Sequence, residues 1–248
     1  MVRFKTELKM NNLLILIVLC SISTACAQSQ INSRRTSKKS EVEGSTLGLQ
    51  TRKDSLSYAM GLKAAKSYAK QGVTEISKRA FSLGAADVID GSKVLLSEAE
   101  MDIIIMEEVN PKVAATIKNG LAFLKANKSR PEIRSTQGGL QYEILVSGTG
   151  TKPTISDTVI AHYEGKLLDG KVFDSTYGEK DPVAFPLKNT IGGWIQGIPL
   201  MSVGSKYRFY VPYHLAYGTN GRQGIPGGSL LIFDVELLNV KSAALSDK

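Results

Sequence analysis

Cysteine, histidine and tryptophan are scarce in this 248-residue chain, which has two, two and one of them. Cys20 lies inside an apolar N-terminal run and Cys26 just beyond it. Export would remove the first and either remove or acylate the second. No cysteine pair is then left, so the mature fold must hold by core packing and not by disulfides. His162 and His214 stand apart, with no zinc-type spacing around them, and read as strand or surface residues. No metal and no cofactor is expected. The helical part has no phosphate-binding glycine loop and no Ser/His/Asp arrangement. A long apolar run is missing too: residues 13–19 fall far below the ~18–20 residues that a spanning helix needs. Most of the formal charge of +8 sits in residues 1–53, with nine Lys/Arg against three Asp/Glu, whereas Thr136 onward carries ten of each. A nucleic-acid module keeps its basic stripe on the folded part, so no nucleic-acid partner is expected.

What is present begins with an export signal. Arg3, Lys5 and Lys9 precede the apolar run, and small residues fill 21–27. Two processing routes are open. Ala25-Cys26-Ala27 fits an A-x-A cleavage site and would give a soluble chain beginning at Gln28. Ser23-Thr24-Ala25-Cys26 resembles a bacterial lipobox, with Ser23 where Leu is usual, and would leave Cys26 as a lipid-bearing first residue anchored to a membrane. Residues 1–27 therefore read as a secretory or lipoprotein signal. The destination is the bacterial cell envelope, either the periplasm or a lipid-anchored place at the outer membrane. Residues 28–53 are rich in Gln, Ser, Arg, Lys and Thr without periodicity and read as a flexible basic linker.

Residues 54–135 turn helical. Leu56, Ala59, Met60 and Lys63 recur at helical spacing, and Gln71-Gly72 stops them. A second helix starts near Ser77, places Phe81, Ala85 and Val88 on one stripe, and ends at Asp90-Gly91. Ser97 and Glu100 form a capping box for a third, since each can satisfy the other's orphan backbone donor. Asn110-Pro111 either kinks that helix or caps a new one, and Val113, Ile117, Leu121 and Leu124 continue the stripe. Such short helices with wide apolar faces are too few to enclose a deep core. They suit burial against a second copy, giving a homodimer through residues 54–128, with a self-contained helical cap as the alternative.

From residue 136 to the end the pattern is β, with expected strands at 140–146, 158–168, 171–174, 206–211 and 230–238 and one helical break at 191–201. The fold class is α+β: a helical domain, then an antiparallel twisted sheet wrapped on one short helix. Asp169-Gly170 between two β-prone runs signals a hairpin. A two-residue loop would set Leu168 opposite Lys171, Gly165 opposite Asp174 and Tyr163 opposite Thr176. Tyr163 and Asp174 then share a face, with Gly165 leaving room between them. Taken alone, that is either a site or a satisfied pair at a hairpin end.

Six elements in order make residues 139–240 similar to the FKBP-type peptidyl-prolyl isomerases. They are His162-Tyr163-Glu164-Gly165, Asp169-Gly170-Lys171-Val172-Phe173-Asp174-Ser175, Ile191-Gly192-Gly193-Trp194, Met201-Ser202-Val203-Gly204, Ala216-Tyr217-Gly218 and Leu231-Ile232-Phe233-Asp234-Val235-Glu236-Leu237. The helices ahead of them resemble those of the Mip-like subgroup of exported bacterial members. That likeness implies dimerisation through the helices and a long helix carrying the isomerase domain away from the dimer.

The resemblance implies isomerisation of X-Pro bonds in exported client proteins. The barrier of ~18–20 kcal/mol comes from amide resonance, and no bond is broken, so neither nucleophile nor metal is needed. A dry, aromatic pocket with few polar groups favours the twisted amide over the planar, more polar one. By the same likeness Trp194 is the floor under the proline ring, and Tyr163, Phe173, Phe185 and Phe233 are the walls. The Ile191 N–H binds the carbonyl after the proline, and Ile225 closes the rim. Tyr217 hydrogen-bonds the substrate, and Asp174 biases the rotating amide. Regular pairing puts Phe173 on the face opposite Asp174, so a pocket holding both requires a bulge near Phe173.

Val183, Thr190, Gly192 and Pro199 depart from the family pattern, and the compact 219–224 loop adds Arg222. Pro199 should shorten the central helix. A binding chaperone with little isomerase activity is the alternative from another class.

Overall fold

The computed structural model describes residues 48–178 and 181–243; the signal sequence, Cys26 and most of the basic linker lie outside them. Four helices come first: α1 (Arg52–Ala69), α2 (Lys78–Ile89), α3 (Glu98–Val109) and α4 (Pro111–Asn127). Each starts where a side chain can accept an orphan backbone N–H. Thr51 and Asp54 form a capping box on α1, Ser97 and Glu100 form one on α3, and Ser77 caps α2. Asn110 ends α3 and caps α4, with Pro111 in the first turn, where its missing N–H costs nothing. Of the two readings of Asn110-Pro111, the new cap is the one realised.

The chain reverses at that cap. Ile103 and Met106 of α3 pack with Val113, Ile117 and Leu121 of α4, and Glu107 pairs with Lys118. The long uninterrupted helix that the resemblance implied is therefore replaced by a helical hairpin. Its second arm buries Val113, Ile117, Gly120 and Leu124, spaced three or four apart, with Ala114 beside Val113. Ile117 and Val113 meet Tyr213, while Leu124 meets Tyr210 and Leu230. Burying Val113, Ile117 and Leu124 stabilises this docking by about 1.5–3 kcal/mol each. Polar bonds fix its register. Gln141 donates to the Leu124 carbonyl at 2.8 Å and accepts from Asn127 at 2.9 Å, and Tyr213 donates to Asp102 of α3 at 2.7 Å.

Seven strands follow: β1 (Arg134–Ser135), β2 (Gln141–Val146), β3 (Thr158–Leu167), β4 (Val172–Ser175), β5 (Val183–Pro186), β6 (Lys206–Val211) and β7 (Leu231–Lys241). Every pairing is antiparallel, in the order β1-β2-β6-β7-β3-β4, with β5 on the first half of β3. β1 and β5 were not expected. The first has two residues and the second ends in a proline, so neither offers a period-two run.

Alternation sends Tyr207, Phe209, Val211, Leu231, Phe233, Val235 and Leu237 to one face, where they form the main core. On the other face Arg208 donates to both carboxylate oxygens of Asp234, at 2.6 and 2.8 Å, and α4 packs on Tyr210.

Helix α5 (Gly192–Gly197) crosses the core face and tightens into a 3-10 turn over Ile198–Leu200, the shortening that Pro199 predicts. Two glycines let it lie flat. A Cβ on Gly193 would stand 2.5 Å from Val211 Cγ1, and one on Gly197 would stand 2.6 Å from Phe209 Cε1. Gly193 therefore serves packing on the sheet, while Gly192 borders the pocket.

Candidate functional site

The β3–β4 hairpin departs from the expected geometry twice, and the departures cancel. Its loop has three residues, because Leu167 N donates to the Lys171 carbonyl and Gly170 (φ 87°) N donates to the Leu167 carbonyl. Lys166 then pairs with Val172, one position out of the two-residue register. A bulge at Phe173 takes up that residue, so Gly165 faces Asp174 after all. The bulge also turns Phe173 toward the side that holds Asp174, and both line one cavity. The space at Gly165 is used by rings and not by the carboxylate. A Cβ there would stand 2.6 Å from Phe173 Cζ and 2.8 Å from Phe233 Cε1.

The cavity has a volume of about 570 Å³. β3 supplies Tyr163, the bulged β4 Phe173 and Asp174, β7 Phe233, and the segment leading into α5 Asn189, Thr190 and Ile191. Gly192 and Trp194 come from α5, and Ala216, Tyr217 and Arg222 from the loop after β6. Trp194 is 7% exposed and is the hub of the rings, with centroids 5.0 Å from Tyr163, 5.0 Å from Phe185 and 5.2 Å from Phe233. The Tyr163 and Phe233 contacts are edge-to-face, the arrangement aromatic quadrupoles favour. The indole Nε1–H has no hydrogen-bond partner among the described residues.

Tyr163 donates its phenol proton to Asp174 Oδ2 at 2.8 Å. Burial above all, then that hydrogen bond and the carboxylate's charge, push the phenol well above its ordinary pKa. Tyr163 therefore remains a proton donor holding the carboxylate in place. The Ile191 carbonyl accepts from Trp194 N at 2.9 Å and Ile195 N at 3.1 Å at the start of α5. Tyr217's phenol accepts from Arg222 Nη1 at 3.0 Å, which leaves its own proton available.

Seven of the nine residues expected at the site thus line one cavity: Tyr163, Phe173, Asp174, Ile191, Trp194, Tyr217 and Phe233. Phe185 and Ile225 do not. Phe185 sits opposite Val159 on the β5–β3 ladder and packs its ring on Trp194 within the core. Ile225 is 3% exposed, tied to Arg222 by a backbone bridge and turned into the core. Beside the expected Tyr217, the lining includes the polar Asn189, Thr190 and Arg222. Asn189 and Ala216 were missed. Neither lies in a periodic run, and only the turns that carry them bring them to the cavity.

An aromatic cavity with one carboxylate, two phenols and no Ser, Cys or His in its lining is suited to binding and reshaping an apolar segment. Comparison with known proteins gives that class its family. The family described as FKBP-type peptidyl-prolyl cis-trans isomerase matches residues 149–238, and the domain amino terminal to FKBP-type peptidyl-prolyl isomerase matches residues 53–144. Peptidyl-prolyl cis-trans isomerase Mip of Coxiella burnetii is 38% identical over 205 residues, covering 78% of this chain and 89% of that protein. Outer membrane protein MIP of Legionella longbeachae is 38% identical over 208 residues, covering 79% and 89%. The crystal structure of FkpA from Escherichia coli superposes with a TM-score of 0.52 at 30% identity, covering 78% of this chain and 99% of that one. The chain belongs to the FKBP-type peptidyl-prolyl cis-trans isomerases.

Proposed function

We propose that this chain accelerates rotation about X-Pro bonds of exported polypeptides in the bacterial cell envelope. One observation carries the reading: Trp194, the Tyr163–Asp174 pair and Tyr217 border a single aromatic cavity. Uncatalysed rotation takes tens to hundreds of seconds because the planar amide is resonance-stabilised. A proline ring over the Trp194 indole would leave water, and the Ile191 N–H would hold the following carbonyl. The twisted amide has less charge separation than the planar one, so an aromatic surround favours it. Asp174, fixed by Tyr163, would bias the rotating amide, and the Tyr217 phenol would donate to the substrate.

A protease-coupled proline-peptide assay tests this. Asp174→Ala and Tyr217→Phe should each lower kcat/KM about tenfold or more, the scale of a lost charged or oriented hydrogen bond. Rates for the wild-type chain equal to the uncatalysed rate would refute the reading.

The division proposed is a signal over 1–27, a linker over 28–53, whose last residues already cap and open α1 at Thr51 and Arg52, a helical domain over 54–135 and the isomerase domain over 136–248. Homodimerisation through the helices is part of the same proposal. Neither α1 nor α2 buries a residue, and Leu56, Met60, Val88 and Ile89 are all at least 60% exposed. Tyr68, Val73, Ile76, Phe81, Ile104 and Ile105 line an open cleft of about 720 Å³. Since α4 is already covered, a second copy would meet α1–α3. Sedimentation of residues 51–248 should give twice the monomer mass, and a monomer at tens of micromolar would refute it. Intact mass of the mature N-terminus separates acylation at Cys26 from cleavage at Ala27, and so tests the lipid anchor.

A further inference from the structure

Two charged side chains border the cavity, Asp174 and Arg222, and the isomerisation just described uses only the first. Arg222 is held in two independent ways. Its backbone N–H donates to the Ile225 carbonyl at 2.9 Å and its carbonyl accepts from Ile225 N at 2.9 Å, which closes a tight turn. Its guanidinium carbon lies 4.9 Å from the centre of the Tyr217 ring, and Nη1 donates to that phenol at 3.0 Å. A guanidinium has five N–H donors in a rigid fork. One is engaged here, and among the described residues no carboxylate pairs with Arg222. Asp174, whose Oδ2 accepts from Tyr163, forms no ion pair with it. The cation is thus presented at the rim of a peptide pocket on the side of Tyr217, with donors to spare.

We propose that Arg222 makes this isomerase select peptides with an acidic side chain immediately before the proline, by pairing its guanidinium with that carboxylate. The inference rests on the isomerase reading of the same cavity. That reading gives the Ile191 N–H to the carbonyl after the proline. The residue before the proline carries the acyl half of the rotating amide; the reading sets Asp174 beside that amide and the Tyr217 phenol on the substrate, and Arg222 rides on Tyr217. A planar fork matches a carboxylate with two parallel hydrogen bonds. Because Arg222 is exposed, the preference should be modest, about threefold to tenfold in kcat/KM, and should shrink with salt.

The test uses the wild-type chain and peptides that differ only by Glu or Gln before the proline, so that shape is constant and charge alone varies. The Glu-to-Gln ratio of kcat/KM should be about threefold to tenfold at low ionic strength and approach one in concentrated salt. Arg222→Gln should bring the ratio to about one, Arg222→Lys should keep part of it, and Arg222→Glu should invert it and favour Lys before proline. Each variant is read as a ratio within itself, because losing the contact with Tyr217 also changes absolute rates. A wild-type ratio of one or less overturns the inference, as does a wild-type ratio that survives Arg222→Gln. An acidic preference found only after the proline overturns it as well. Equal catalysis of both peptides sinks this inference alone, whereas uncatalysed rates on both sink the isomerase reading beneath it.

Discussion

Replacing Gly193 with alanine should lift α5 off the sheet and take Trp194 with it. The added methyl would stand 2.5 Å from Val211 Cγ1 and 2.9 Å from Cγ2, and Val211 is fully buried in the middle of the core. Two opposing effects decide the sign. Alanine is the better helix former by at most ~1 kcal/mol, less so near a helix start. Overpacking a filled core costs about 1–3 kcal/mol, and a β-branched neighbour on a strand has no alternative rotamer that clears the methyl. The expected net loss is about 1–2 kcal/mol, which for a unit of this size lowers Tm by roughly 2–8 °C.

Val211→Ala should also destabilise by itself, because it opens a cavity. The double variant should lose less than the sum of the two, with a coupling of about 1 kcal/mol or more. Trp194 is the sole tryptophan, so urea unfolding followed by its fluorescence reads the relevant region. The same movement should lower kcat/KM on proline peptides in Gly193→Ala and restore part of it in the double variant. A Gly193→Ala chain as stable as wild type, or more so, would refute the argument that α5 needs this close approach. Additive losses would show that the clash with Val211 is not its cause.

Three further outcomes follow from the same geometry. Burial and hydrogen bonds to Asp174 and Asp102 raise the pKa of the Tyr163 and Tyr213 phenols in the folded chain. A raised folded pKa gives stability that is complete below the unfolded value of ~10 and is lost as pH rises above it. Absorbance titration should therefore show two phenols that ionise only with alkaline unfolding; their titration near pH 10 in the folded chain would refute this. Ile117→Ala, at a fully buried α4 position, should cost about 2–5 kcal/mol and raise amide exchange at Tyr213 and Leu230; unchanged stability would mean that α4 does not brace the sheet. Gly165→Ala should displace Phe173 and Phe233 from the cavity and weaken peptide binding more than it weakens the fold, and titration of Trp194 fluorescence with a proline peptide would reveal unaltered affinity if that is wrong.

Much of the architecture was legible because its signals are local. Ser77, Ser97 and Asn110 each precede a helix they cap, and these bonds span three residues, whereas Thr51, which caps α1, falls in the stretch that reads as linker. Period-two alternation located β2, β3, β6 and β7 to within a few residues, and the pairing of Gly165 with Asp174 followed from a hairpin sum. The six spaced elements carried the family. Short-range bonding and side-chain periodicity are properties of neighbours along the chain, so a sequence states them directly.

Only the tertiary structure decided the rest. A three-residue loop and a bulge at Phe173 offset each other, so the final register could be right while the loop was not. Phe185 and Phe233 are both aromatic strand residues on partners of β3, yet the first, opposite Val159, packs behind Trp194 and the second, opposite Gly165, borders the cavity. The reversal at Asn110-Pro111 depends on Tyr210, Tyr213 and Leu230, about a hundred residues further on, because they cover α4. Arg222 was visible in the chain as one more cation in a loop. Its place over the Tyr217 ring, at the edge of a peptide pocket, exists only once β6, β7 and the turn between them have closed. The residue types and their spacing fix what each segment prefers, but which face meets a cavity is settled by partners distant in the chain.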